Sequence, residues 1–162
     1  MRHILSTYFY SFLDSGLSSS SVFENKTRLW GPEFTIDGIL SRNDKGFFHS
    51  ELEDYPWLQW HLPRQVKMIG ITLTNRINCC GDHFRDVEIR AGKHPTKSGF
   101  KGQIKLNELC GKFAGPGETG QEHTIVCDNT ISADYVTIQI LDDNAILAIN
   151  EMRIETISHG RF

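Results

Sequence analysis

The chain has 162 residues, 39% of them apolar and ten of them Phe, which suits one domain with a full hydrophobic core. A formal charge of −3 and a pI near 6.1 speak against a nucleic-acid-binding surface. No apolar run approaches the ~18–20 residues that cross a bilayer, and no Cys-x-x-Cys or Cys/His spacing suited to zinc occurs.

Residues 1–17 place Arg2 and His3 before Ile4-Leu5-Ser6-Thr7-Tyr8-Phe9-Tyr10-Ser11-Phe12-Leu13. That run reads either as a poor signal-like segment or as an N-terminal extension packing its aromatics on the domain. Ser18 to Ser21 form a connector into the main domain, residues 18–157. Asn25-Lys26-Thr27 is a glycosylation sequon, weak alone but consistent with a secreted, extracellular chain. The irregular stretch that follows ends in Phe34-Thr35-Ile36-Asp37-Gly38. There Asp37 can fold its carboxylate onto nearby backbone N–H groups while Gly38 takes positive φ. The loop 39–50 carries Ser41, Asn43 and Asp44 and closes on Phe47-Phe48-His49-Ser50. A lone His beside aromatics is more often structural than a ligand.

Pro56-Trp57-Leu58-Gln59-Trp60-His61-Leu62 reads as an interior strand, because indole bodies bury large areas. Residues 66–73 alternate with period two, as do Val87, Ile89 and Ala91, so residues 74–85 form a loop between two strands. At its centre stand Cys79 and Cys80. Neighbouring Cα atoms lie about 3.8 Å apart, below the usual ~4.4–6.8 Å disulfide span. A bridge between them closes an eight-membered ring, forces a tight bend and presents a plate of sulfur at the loop tip. The alternative is two unrelated thiols. Residues 92–102 form a Gly/Lys/Pro surface loop whose lysines solvate a turn. Residues 115–120 make a long turn that lacks the Gly-Lys-Ser/Thr ending of a phosphate loop. Strands then follow at 124–127, at Val136, Ile138 and Ile140, and at 152–157, with 158–162 as a tail. Short strands, turn signals and no convincing amphipathic helix predict an all-β sandwich. Four cysteines permit three pairings.

Asn75-Arg76-Ile77-Asn78-Cys79-Cys80-Gly81-Asp82-His83 resembles the sugar-binding loop of the F-type lectins, the fucolectin family within the discoidin-like superfamily. That family's pattern is a His, twenty-six residues, an Arg, any residue, an Asp, four residues, then Arg or Lys. His49 and Arg76 match with that spacing, whereas Asn78 replaces the Asp and His83 the second cation. Residues 34–38 and 56–62 resemble the family's Ala-Ile-Asp-Gly turn and Pro-Trp-Trp strand. The resemblance implies an eight-stranded jelly-roll β-sandwich and the pairing Cys79–Cys80 with Cys110–Cys127. It implies a sugar pocket in which Arg76 donates to sugar oxygens and His49 donates or accepts. In that pocket Asn78 keeps an acceptor oxygen without the charge that orients the arginine, and His83 offers a shorter, mostly neutral side chain. The Cys79–Cys80 plate would meet the ring's carbon face, and Phe47 or Phe48 would cover a sugar methyl. It also implies a Ca²⁺ held near residues 39–50 by Ser41, Asn43 and Asp44 together with Asn150 and Glu151. Asp44 and Glu151 read without the resemblance are simply solvated acids. Phe47 and Asn150 stand where the family has two bridged cysteines, so both flanking loops lose that tether. The implied partners are glycans, fucosylated ones first, and a homo-oligomer is compatible with them. The implied function is a secreted lectin with a partly degenerate fucose-type pocket. A discoidin-like adhesion domain binding protein or lipid is the alternative. An enzyme comes third, because no carboxylate pair, Ser-His-Asp set or metal motif presents itself.

Overall fold

The computed structural model describes residues 16–157. The readings of the N-terminal run as a signal-like segment or packed extension, and of the C-terminal tail, lie outside the described residues. Strands β1 (Leu17–Ser19), β2 (Phe48–His49), β3 (Trp57–Asn75), β4 (Val87–Gly92), β5 (Glu108–Phe113), β6 (Glu122–Ile140) and β7 (Ala148–Thr156) follow in order. Helical structure is confined to single turns, including α1 (Thr27–Trp30) and 3-10 turns at Phe23–Asn25, Pro32–Ile36 and Gly81–His83.

The seven strands pair in the order β2-β7-β3-β6-β4-β5, with β1 on the remaining edge of β3, and every pairing is antiparallel. The expected strand count was eight. Seven are present among the described residues, and β3 and β6, each 19 residues long, run on where the sequence suggests breaks. The expected strands at 56–62 and 66–73 are the two halves of β3, and those at 124–127 and 136–140 belong to β6. Register shifts between His61 and Val66 and between Met68 and Gly70 bend this pair. Its first portion, Trp57 to His61 against Tyr135 to Gln139, pairs onward with β1 and β4. Its second portion, Gly70 to Thr74 against Glu122 to Val126, pairs onward with β7. Each long strand therefore serves both layers of the sandwich. Gly70 is required at the bend, since a Cβ there would lie 2.8 Å from the Ile125 carbonyl oxygen.

Between the layers lie Phe48, Leu58, Met68, Ile71, Leu73, Ile89, Ile138, Ile140 and Ile149. Trp57 and Trp60 are buried as expected, and the Trp57 indole donates to the Phe100 carbonyl at 2.8 Å. That bond exposes a second duty of the lysine-rich loop. Its side chains at Lys93, Lys97 and Lys105 are solvated, yet its backbone covers the outer face of the sheet. The buried Gln59 amide donates to Thr137 and receives the Thr96 N–H, while Gln139 receives Ile104 N–H and donates to Gly102 O. Buried polar groups on that face are thus satisfied by the loop. Both expected disulfides form, and Cys110–Cys127 ties β5 to the first half of β6.

Below the Cys79–Cys80 loop, His123 is packed between Phe84 (centroids 4.9 Å apart) and Phe113 (4.3 Å). Its Nε2 has no hydrogen-bond partner among the described residues. Burial pulls the His123 imidazole below its ordinary value and holds it neutral. In the unfolded chain the ring takes up a proton near its usual pKa of ~6.5. Its contribution to stability is therefore complete above that pH and is lost as pH falls. Thermal melts from pH 7.5 to 5 should show wild type losing stability relative to His123→Phe. Parallel curves would place the acid sensitivity elsewhere.

Candidate functional site

The site is built where β3 ends. Asn75, its last residue, is buried, and its amide nitrogen donates to the carbonyls of Gly81 and Glu118, both at 2.9 Å. Its Oδ1 accepts the Arg76 N–H at 2.8 Å. One amide therefore staples the cysteine loop to the turn at 115–120 and sets the start of the arginine's segment. Gly120 N–H donates to the Arg76 carbonyl at 2.7 Å, and Thr119 Oγ1 accepts the Gly81 N–H at 3.0 Å. A Cβ on Gly81 would meet the Thr119 nitrogen at 2.1 Å, so only glycine allows this docking. Read from the sequence, that turn had no role. It is the buttress of the cysteine loop.

Arg76 Nε donates to Asn78 Oδ1 at 2.7 Å, so the amide oxygen does orient the guanidinium without the carboxylate charge. The guanidinium carbon lies 5.0 Å from the Phe47 ring centre, a cation–π contact worth roughly 0.5–2 kcal/mol. Burial pulls the Arg76 pKa down and nearby Asp44 opposes the shift, but the group stays cationic. These contacts hold the guanidinium, and neither Nη group has a hydrogen-bond partner among the described residues. Beside it the Cys79–Cys80 bridge spans adjacent residues, Cα atoms 3.8 Å apart, with Cys80 in the left-handed region at φ 63°.

His49, on β2, is 8% exposed, and its Nδ1 lies 2.7 Å from the Ser50 carbonyl. In the neutral ring that contact makes Nδ1 the donor and leaves Nε2 as an acceptor. The neutral form is favoured because burial lowers the His49 pKa, opposed by the Ser50 carbonyl. The Arg76 and His83 charges add to the depression, and Glu51 opposes it. That electrostatic coupling brings His49, Arg76 and His83 into one neighbourhood. His83 is half-buried, and its Nδ1 has no partner among the described residues. Arg85, a rival for the missing second cation, is engaged with Asp142 at 3.0 Å.

Two expectations need correction. Phe48 is 0% exposed within the core, and Phe47, 1% exposed, lies beneath Arg76, so neither covers a sugar methyl. The aromatic surface against His49 comes instead from residues before β2. Phe23 is half-buried with its ring 4.9 Å from His49, and Trp30 meets it edge-on at 5.0 Å. The Trp30 indole donates to the Asp44 carbonyl at 2.8 Å, which ties this aromatic wall to loop 39–50. The only sequence signal for it was two aromatics in an irregular stretch.

Of the expected calcium ligands, Ser41 and Asn150 are bound to each other. Asn150 is wholly buried, its Oδ1 accepting Ser41 N–H at 2.9 Å and its Nδ2 donating to Ser41 O at 2.7 Å. Both ends of the amide are spent, and Asn150 acts as a clasp at the position where the family has a bridged cysteine. Ser41 Oγ donates to the Lys45 carbonyl and accepts Asn43 N–H, so Ser41, Asn43 and Asp44 form a turn closed on itself. Glu151 is met instead by Asp37, whose Oδ1 also accepts Ile39 N–H at 2.9 Å. Burial first, and then the Asp37 charge, push the Glu151 carboxyl up to about 8, while the Gly38 and Ile39 backbone bonds oppose. Its Oε2 is buried without a partner. No group of three His, Cys, Asp or Glu side chains suited to a metal occurs among the described residues. This pair with an unsatisfied oxygen nonetheless fits a hard cation completed by peptide carbonyls.

The Asn75 staple is directly testable. Asn75→Ala removes the side-chain bonds to the Gly81 and Glu118 carbonyls and from the Arg76 N–H, and should cost ~1–3 kcal/mol. The measure is the urea midpoint at unchanged slope, and an unaltered midpoint would show that the loop closes without it.

A family model for the F5/8 type C domain matches residues 16–152. The chain is 27% identical over 131 residues to Fucolectin-1 of Anguilla japonica, covering 78% of this chain and 68% of that one. It is 29% identical over 106 residues to Fucolectin of Anguilla anguilla, covering 62% of this chain and 61% of that one. The fold superposes on the crystal structure of an F-lectin (fucolectin) from Morone saxatilis (striped bass) serum with a TM-score of 0.73 at 23% identity. That match covers 88% of this chain and 46% of the other. With 137 consecutive residues matched, from 16 to 152, the chain belongs to the F5/8 type C, or discoidin-like, domain family.

Proposed function

We propose that this domain is a secreted carbohydrate-binding module of the fucolectin type, acting by binding and not by catalysis. The observation that carries the reading is the arginine fork. Arg76 is held over Phe47 and pinned by Asn78, beside the Cys79–Cys80 plate and in the electrostatic neighbourhood of His49. A pyranose has vicinal hydroxyls on one side and a carbon face on the other. The two Nη groups would donate to adjacent hydroxyls, His49 Nε2 would accept from one, and the disulfide would meet the carbon face. Phe23 is the apolar surface nearest His49 for a sugar methyl. Similarity to the eel and bass fucolectins supports fucose as the first ligand to try.

The weak points are Asn78 and His83. A hydrogen bond to a charged group contributes about 1.5–3 kcal/mol, so loss of one cation lowers affinity about ten- to a hundredfold. Asn78→Asp with His83→Arg should raise fucose affinity by that factor in calorimetric titration. Adding Arg76→Ala should abolish the gain. A double variant that gains nothing would move the adhesion reading ahead. That reading has one observation in its favour, since Ile39 (64% exposed) and Leu40 (50% exposed) stand out from the loop beside Asp37.

Calcium is the proposed cofactor, with Asp37 and Glu151 as its carboxylate ligands and peptide carbonyls of the following loop completing the shell. When bound, the ion would neutralise the paired carboxylates and hold that loop beneath the pocket's aromatic wall. Calcium should raise the melting temperature over that in chelator at pH 7.5 through preferential binding to the native state. Glu151→Gln should remove the rise. Equal shifts in wild type and variant would exclude this pair as the site.

A further inference from the structure

The sequon Asn25-Lys26-Thr27 is placed at the pocket's edge by the segment around it. Phe23 packs on His49 with centroids 4.9 Å apart, and the next residue, Glu24, donates its N–H to the Glu51 carboxylate at 2.5 Å. The chain is thus fastened to both sides of His49, at Phe23 and at Glu51, immediately before Asn25. Asn25 N–H donates to the Val22 carbonyl at 2.9 Å, and its φ of 54° lies in the left-handed region that asparagine tolerates. Asn25 and Thr27 are both exposed, and an open depression borders Thr27. Five residues past the sequon's start, α1 ends at Trp30, which closes back on Phe23 at 5.0 Å.

We propose that Asn25 carries an N-linked glycan standing at the mouth of the pocket, where it screens large glycan ligands from small ones. In the modification, Asn25 Nδ2 forms a bond to the anomeric carbon of a lipid-diphosphate-linked oligosaccharide. The anomeric C–O bond breaks with its electron pair leaving on the diphosphate, and the displaced amide proton passes to the transferase. The screening rests on the saccharide-pocket reading, whereas the modification does not. An attached oligosaccharide leaves a monosaccharide free to enter and obstructs the approach of a bulky glycoprotein.

The test uses the whole chain secreted from eukaryotic cells behind an added leader. Intact mass before and after N-glycosidase should differ by one glycan in wild type and in Thr27→Ser, which keeps the sequon. It should not differ in Thr27→Ala, which loses it. Binding is then followed with two probes, L-fucose and a fucosylated glycoprotein on a sensor surface. Thr27→Ala should bind the glycoprotein on the order of tenfold faster than wild type, since removing a steric restriction acts on docking. L-fucose should bind all three proteins alike, and Thr27→Ser should follow wild type. Absence of a mass difference in wild type overturns the proposal. Equal glycoprotein rates in wild type and Thr27→Ala overturn the screening. Failure of every form to bind either probe overturns the fucose-type pocket itself, and the screening with it.

Discussion

The antiparallel pairing of β3 with β6 is the constraint on which the other elements depend. These two strands run side by side from the first layer of the sandwich into the second, and β1, β4 and β7 are laid against their free edges. Bending the pair brings the end of β3 and the start of β6 to the place where the site forms. Close backbone approach at Gly70 makes the bend sterically feasible, and Cys110–Cys127 adds a covalent tie between β5 and β6. In the chain-entropy model such a loop contributes about 3 kcal/mol by restricting the unfolded chain. Burial of the aliphatic face contributes far more in gross terms, but it does not choose where the loops point. The bend does.

The site then depends on small polar contacts made where the large apolar ones end. Asn75 and Asn150 are both buried amides, and each fastens a loop through both of its ends. A buried amide is costly unless satisfied, so each position is specified tightly by the geometry it must meet. Asn150 holds loop 39–50 through two hydrogen bonds to the Ser41 backbone. Arg76 is treated in the opposite way. Its guanidinium rests on Phe47 and its Nε is fixed by Asn78, while the two Nη groups have no hydrogen-bond partner among the described residues. A cation so arranged meets a ligand with little ordering left to do.

Electrostatics separate two neighbouring regions by sign. Around His49 the environment disfavours a proton, through burial and the nearby Arg76 and His83, so the ring is kept as an acceptor. Around Glu151 burial and Asp37 disfavour the negative charge, so the carboxylate pair is relaxed only by a proton or a cation. Loop 39–50 runs between them, with Asp44 felt by Arg76 at one end and Ile39 bonded to Asp37 at the other.

Period-two runs around Ile71, Ile89 and Ile138 were sufficient for an all-β sandwich, because alternation is a local property of a strand with one buried face. The Cys79–Cys80 bend and the Asp37 turn were readable for the same reason, each being set by residues within a few positions. The spacing of His49 and Arg76 carried the resemblance to a sugar site without saying what surrounds them. What the sequence could not show was contact between distant residues. The union of two expected strands into β3 depends on a partner that bends with it. The burial of Phe47 under Arg76, the pairing of Asp37 with Glu151 and the packing of Phe23 on His49 and of Trp30 on Asp44 join segments separated by 14 residues or more. Composition and periodicity determined that this chain folds as a sandwich with a cysteine-tipped loop. Only the tertiary structure decided which side chains gather around Arg76 and His49, because loop packing fixes their orientation and no local pattern records it.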